Sequence, residues 1–216
     1  MIISKYDIEL CRLTHDDIEL IRTMRNRDDI RLRMFDQALV TPIQQEQWFN
    51  SIDNMHNYFF VVQSQGMKVG LINGKNANFA KREVEGGIYI WENPLIGTAI
   101  PAKASICFME ATFNLIRMER IYARVRKDNP VARRYNLLLG YVPDPERGEE
   151  FMVLTREAYE EKIPRLRKMA AGAKNVLPLS IEDVEIPNAA RQMHLYESLP
   201  QDVFDVFKPR LPSMQS

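Results

Sequence analysis

Apolar and polar positions alternate along residues 7–13, the period of a strand with one buried face. Thr14 then opens a helix. Asp17 stands three residues on, in capping-box spacing, and Ile18, Ile21 and Met24 recur at helical intervals. A polar break at residues 26–29 leads into another helical turn or two through Phe35. Thr41-Pro42-Ile43-Gln44 predicts a further start, with Thr as cap, Pro at the first helical position and Gln reaching back. That helix is expected to turn Trp48 and Ile52 inward.

The period then changes. Residues 58–63 are a dense β-type run, Gln65-Gly66 a turn and residues 67–73 a second strand, which together read as a hairpin. Residues 73–81 are polar and turn-rich. Residues 84–91 form the next strand, where Gly86 and Gly87 predict a bulge or a close backbone approach. A loop over residues 92–99 enters a helix whose buried stripe is Ile106, Met109, Phe113 and Ile116. Residues 120–126 are a strand, Asn129-Pro130 opens a helix that Gly140 closes, and residues 151–155 are a last strand. The order β-α-α-β-β-β-α-β-α-β predicts a mixed α/β (α+β) fold rather than a βαβ repeat. After residue 160, Pro164, Pro178, Pro187, Pro200, Pro209 and Pro212 leave room for short helices only. The expected organisation is a domain over residues 1–160 and a proline-punctuated, partly helical extension over residues 161–216. That extension would pack on the domain or on a partner, and a homodimer arm is one form of the latter.

Charge and composition narrow the function. The 216 residues carry 29 Lys+Arg against 29 Asp+Glu, which argues against a broadly basic nucleic-acid binder. Cys11 and Cys107 form no CxxC pattern, and His15, His56 and His194 lack metal-ligand spacing, so no metal is expected. The N-terminus has no basic region followed by an apolar one, and no apolar run approaches the ~18 residues of a membrane span. A cytoplasmic protein with no membrane association is the expectation.

The first chemical signal is strand, glycine-containing loop, helix over residues 84–116. A helix N-terminus offers unpaired N–H groups and a positive dipole end to a phosphate, and Gly97 lets a ligand approach the backbone. A single glycine here also suits an ordinary βα connection. Further on, a strand leads to Asp128-Asn129-Pro130-Val131-Ala132 and then Leu139-Gly140-Tyr141. With these residues the chain resembles the GCN5-related N-acetyltransferase (GNAT) superfamily, whose unit reads roughly Asn-x-x-Ala…Leu-Gly-Phe/Tyr. Met24-Arg25-Asn26 and Trp48-Phe49 ahead of the hairpin add to the likeness, which spans residues 6–156 and looks closest to the amino-sugar and ribosomal-protein acetyltransferase branches.

The resemblance implies a GNAT fold with splayed central strands, acetyl-CoA as co-substrate and an amine acceptor. It implies that Ile88, Tyr89, Ile90 and Trp91 pair with the pantetheine arm, and that Leu95, Ile96, Gly97, Thr98 and Ala99 turn N–H groups to the pyrophosphate. Asn129 and Ala132 would shape the same site. Arg133 would reach CoA phosphates or lie solvated on its helix. Two departures stand out. The Gln/Arg that opens the family's loop motif falls on Pro94, and Pro101 lies in the first turn of the helix. The family's acid, a Tyr seven residues after the Asn, falls on Asn136, with Tyr135 one position earlier. One residue turns a helix by about 100°, so Tyr135 is a candidate acid or a core residue.

The reaction the resemblance implies is direct acyl transfer, in which a base takes the amine proton. Glu85 is preferred to Glu83, with His56 as a rival. Arg25, Asn26, Met34 and Trp48 are candidates for the acceptor pocket. Arg22, Arg25, Arg27, Arg31 and Arg33 form either a patch for a phosphate-bearing acceptor, such as a nucleotide-linked amino sugar, or a solvated face paired with nearby carboxylates. The expected activity is N-acetylation of a small-molecule primary amine. The alternatives are a protein N-terminal or lysine acetyltransferase, and a degenerate acyl-CoA-binding module without turnover.

Overall fold

The computed structural model describes residues 1–172, 176–186 and 199–210. Those residues place strands β1 (Ile2–Lys5), β2 (Ile8–Arg12), β3 (Tyr58–Ser64), β4 (Met67–Asn78), β5 (Glu83–Ile90), β6 (Arg120–Arg124), β7 (Val142–Pro143), β8 (Phe151–Thr155) and β9 (Val184–Glu185) in one sheet. Its order is β7-β8-β6-β5-β4-β3-β2-β1-β9. Every neighbouring pair is antiparallel except β5 and β6. The mixed α/β expectation holds.

Helices cover both faces. α1 (Ile18–Asn26), α2 (Asp28–Arg31) and α3 (Pro42–Ile52) close one side over Leu13, Phe59, Val61, Leu71 and Trp91. The cap read at residue 41 is present: Thr41 Oγ1 accepts from Gln44 N–H and Gln44 Oε1 accepts from Thr41 N–H. At Thr14 the Asp17 carboxylate accepts the Thr14 N–H, but a 3-10 turn intervenes and α1 starts at Ile18. In α3 the buried stripe is Gln45, Phe49 and Ile52, an i, i+4, i+7 spacing that leaves Trp48 half-buried, edge-on to Phe59 at 5.2 Å. The other face carries α4 (Ala99–Glu110), which continues as a π turn through Leu115, together with α5 (Pro130–Leu139), α6 (Arg156–Ala171) and α7 (Gln201–Phe207).

Several expectations are corrected. The first strand is a hairpin, because Tyr6 and Asp7 turn at φ 59° and 60° without a glycine. Such a turn costs roughly 1–2 kcal/mol per residue. Burial of the Tyr6 ring and its hydrogen bond to Glu110 (2.9 Å) offset that cost. Residues 73–78 are not a turn. They extend β4 along β5 with an irregularity between Lys75 and Asn78, and Arg82 closes the short connection at φ 53°. The strand expected over 120–126 ends at Arg124.

The largest correction lies after residue 155. α6 crosses residue 160 unbroken with Pro164 inside it. A proline in a helix interior costs about 3 kcal/mol. The helix persists because Tyr159, Ile163, Leu166 and Ala170 form one buried stripe in the main core, with Tyr159 stacked on Phe113 of the α4 continuation, and each large side chain stabilises by about 1.5–3 kcal/mol. β9 pairs with β1, and Val203 and Phe207 of α7 join the same cluster. The described part of the extension therefore covers this chain's own sheet. Pro187 and Pro212 lie outside the described residues. No helix among the described residues is long and apolar enough to cross a membrane.

Candidate active site

The site is built by a break in the sheet. β5 and β6 pair in parallel from Glu83↔Arg120 to Gly86↔Ala123 and no further, while β5 continues along β4 to Ile90. Gly86 marks the point of separation, where a Cβ would come within 2.9 Å of the Ile121 side chain. The paired glycines thus serve close approach, and the bulge lies across the ladder, on β4. Trp91 N–H donates to Val69 C=O at 3.0 Å. Strand alternation then turns the backbone of Tyr89 toward β4 as well, and the N–H and C=O of Ile88 and Ile90 into the gap beside β6. The Trp91 side chain is buried, with Nε1–H donating to Lys68 C=O at 2.9 Å. It supports the cleft from behind.

The chain leaves β5 through a 3-10 turn (Asn93–Leu95) into Ile96 and Gly97, the latter at φ +92° with open space around it. Thr98 caps α4 by accepting Ile100 N–H. Pro94 and Pro101 each occupy a first turn, where a missing N–H breaks no helical bond. Among the described residues, the N–H groups of Gly97 and Ala99 have no acceptor, so both are open to an anion at the positive end of α4.

α5 faces this loop. Asn129 Oδ1 accepts Ala132 N–H at 3.1 Å and so caps the helix. Asn129→Ala is expected to cost about 1 kcal/mol in urea unfolding. Ala132 packs against the main core, and Arg133 Nη1 sits 3.5 Å from Glu149 C=O. The Tyr135 hydroxyl donates to Pro101 C=O (2.9 Å) and lies 2.7 Å from Ser105 Oγ, and burial pushes its pKa up to about 12. It therefore joins α5 to α4. Asn136, at the family's Tyr position, donates to Ala132 C=O of its own helix.

On the opposite face lie the acidic residues. Val84 and Ile88 pack toward α4, so Glu83, Glu85, Gly87 and Tyr89 point the other way. Glu85 is one residue from the strand separation, opposite Lys75 on β4 and Tyr122 on β6. Lys75 Nζ lies 2.9 Å from its Oε1. Glu83 is farther from the gap and pairs with Arg147 at 3.5 Å. Burial pushes the Tyr89 phenol pKa up, with Arg25 acting in the opposite direction. His56 is removed from this group, its Nδ1 2.8 Å from Ala77 C=O at the far end of β4.

The arginine patch is otherwise engaged. Arg22, Arg25 and Arg31 donate to the carbonyls of Val40, Asp36 and Gln37, which folds the loop between α2 and α3. Arg22, Arg27 and Arg31 also pair with Glu19, Asp29 and Asp28. Asn26 exchanges two 2.8 Å bonds with the Val40 backbone. Arg25 and Asn26 therefore shape the loop over the cleft instead of projecting freely into it. Met34, part of that loop, is half-buried against the smaller cluster, and its carbonyl accepts from Arg126 at 2.9 Å. Tyr122, Lys75 and Arg147 were not picked out by sequence. Alternation from Glu85 would reach the first two only with the strand register in hand.

A family model described as an acetyltransferase (GNAT) domain matches residues 7–142. This chain belongs to the GNAT acetyltransferases. Solved structures share the fold of this GNAT chain at low identity. The Vibrio cholerae spermidine N-acetyltransferase with CoA and spermine is 21% identical, with a TM-score of 0.64 over 72% of this chain and 99% of that one. The aminoglycoside acetyltransferase AAC(6')-Ib with coenzyme A and kanamycin is 17% identical, with a TM-score of 0.61 over 71% and 98%. A structure described as a putative acetyltransferase is 16% identical, with a TM-score of 0.65 over 80% and 95%. No curated protein matches the sequence. Among the described residues no group of three metal-ligating side chains occurs.

Proposed function

We propose that this GNAT chain transfers the acetyl group of acetyl-CoA to a small-molecule primary amine. The observation that carries the reading is the strand separation after Gly86, with the open backbone of Ile88 and Ile90 on one side and the N–H groups of Gly97 and Ala99 at its end. The pantetheine arm lies along β5 and the pyrophosphate takes the free N–H groups of the loop. The acceptor approaches from the α1–α3 face. Glu85 takes one proton of the acceptor ammonium through a water, the neutral nitrogen attacks the thioester carbon, and the C–S bond breaks to release CoA thiolate. N–H groups of β5 facing the gap stabilise the developing oxyanion. Tyr135 holds α5 against α4, and the thiolate takes its proton from water or from the amine. Tyr135→Phe is then expected to cost about 1 kcal/mol of stability and to change kcat less than tenfold.

The CoA, spermine and kanamycin in the neighbours' structures support an acyl-CoA and a small amine. A nucleotide-linked amino sugar stays in the reading on its amine alone, because four of the five arginines that favoured it are engaged in the fold. Homodimerisation through residues 161–216 draws support from the exposed Met169, Val176 and Leu177.

Thermal shift and thiol release with acetyl-CoA test the proposal. Acetyl-CoA is expected to raise Tm, and at least one amine among spermidine, kanamycin and a nucleotide-linked amino sugar is expected to drive thiol release faster than a lysine peptide does. Stabilisation without release from any amine would leave a binding module. An unchanged Tm would overturn the proposal.

A further inference from the structure

We propose that Arg147 forms an anion-binding subsite in the acceptor cleft, so that the amine acceptor carries a carboxylate or a phosphate. The inference rests on the acceptor face assigned above. The Arg147 guanidinium lies over the Tyr122 ring at 3.7 Å and 5.9 Å from the Phe151 ring. Tyr122 stands directly opposite Glu85 in the β5–β6 register. The guanidinium is thus placed on the same face of the sheet as the proposed base, close to where the strands separate.

Stacking uses the flat face of a guanidinium and leaves its in-plane N–H donors to bind a planar or tetrahedral oxyanion. Among the described residues, the single hydrogen-bond partner of Arg147 is Glu83 Oε1, at the limiting distance of 3.5 Å. The neighbouring arginines differ. Arg124 directs Nε and Nη2 to Glu150, and Arg126 pairs with Asp128 while donating to Met34 C=O. Arg147 keeps 40% of its side chain exposed. Its position is built by a closed turn: Gly148 N–H donates to Asp144 C=O (3.2 Å), Phe151 N–H to Gly148 C=O (2.9 Å), and Asp144 N–H to Phe151 C=O (2.9 Å). Gly148 adopts φ +132°, which L side chains rarely reach. Arg147 contacts Glu83, two positions before Glu85 on the same face, and such same-face neighbours on a strand lie about 7 Å apart. The anion of the acceptor is therefore separated from its amine by several bonds.

Matched amines test this in the full chain. The pairs are 6-aminohexanoate with 6-aminohexanamide, and glucosamine 1-phosphate with glucosamine. Affinities are measured by calorimetry with CoA present, alongside kcat/KM. The anionic member of at least one pair is expected to bind about tenfold or more tightly than its neutral partner, and the pair that discriminates tells carboxylate from phosphate. Arg147→Ala is expected to abolish the preference, and Arg147→Lys to restore part of it. Absence of preference in both pairs, or a preference that survives Arg147→Ala, would overturn the subsite. Anion-dependent binding without acetylated product would instead refute the transfer reaction and leave the subsite standing. Turnover without anion preference would do the reverse.

Discussion

Glu85→Gln is expected to lower kcat about 10²- to 10⁴-fold, the range for removing a positioned general base, and to leave acetyl-CoA affinity within about twofold. The side chain sits one residue before the strand separation and faces away from α4, so in the proposed reaction it reaches the acceptor and not the loop at Gly97. Its pairing with Lys75 is partly exposed, and the loss of such a pair costs about 1 kcal/mol or less. A fall in rate would therefore report chemistry and not unfolding. Glu83→Gln is the control. Glu83 lies two positions farther from the gap and contacts Arg147 instead, so its kcat is expected to stay well above that of Glu85→Gln. Unchanged turnover in Glu85→Gln would remove Glu85 from the role of base.

Glu110→Ala should produce the largest loss of stability, about 3–5 kcal/mol in urea unfolding. For a chain of this size that corresponds to a Tm lower by roughly 10 °C. The carboxylate is fully buried, and three elements converge on it. Tyr6 O–H from the first hairpin donates at 2.9 Å, Leu179 N–H from the C-terminal segment at 3.0 Å, and Arg167 Nε from α6 completes the set. Truncation leaves a mostly buried guanidinium, a hydroxyl and an amide with no acceptor. Burial and then the Glu110 charge push the Tyr6 phenol pKa up, so the hydroxyl remains a donor throughout the neutral range. A loss below about 1 kcal/mol would show that the network does not join the extension to the core.

What was legible in the sequence followed from short-range rules. The Thr41–Gln44 box, the Asn129-Pro130 start and the Gly140 stop at φ +102° are decided within a few residues, and each is found where it was read. The β1–β2 turn was missed because Tyr6 and Asp7 adopt a left-handed conformation that neither residue type signals; the Glu110 contact holds it from 104 residues away. α6 was missed because Pro164 is a strong local breaker, and its compensation lies in tertiary contacts with the core, including those to α4 and its continuation. The arginines of the first helices suggested a phosphate site by composition alone. Three of them pair with Glu19, Asp28 and Asp29, as the alternative reading had it, and Arg22, Arg25 and Arg31 also donate to backbone carbonyls of a loop, which charge counting does not register. Gly97 marked the proposed co-substrate loop through a local motif, and Gly86 and Gly87 marked a close backbone approach. The other wall, with Lys75, Tyr122 and Arg147, depends on pairing across three strands and a turn.

The central claim is that the gap between β5 and β6 holds the thioester. A crystal structure of the full chain with CoA tests it most directly. The account predicts the pantetheine arm hydrogen-bonded to the backbone of Ile88 or Ile90, the sulfur near Gly86 and on the side from which Glu85 is reached, and the pyrophosphate on the N–H groups of Gly97 and Ala99. CoA bound elsewhere, or the gap closed by continued β5–β6 pairing past Gly86, would contradict it.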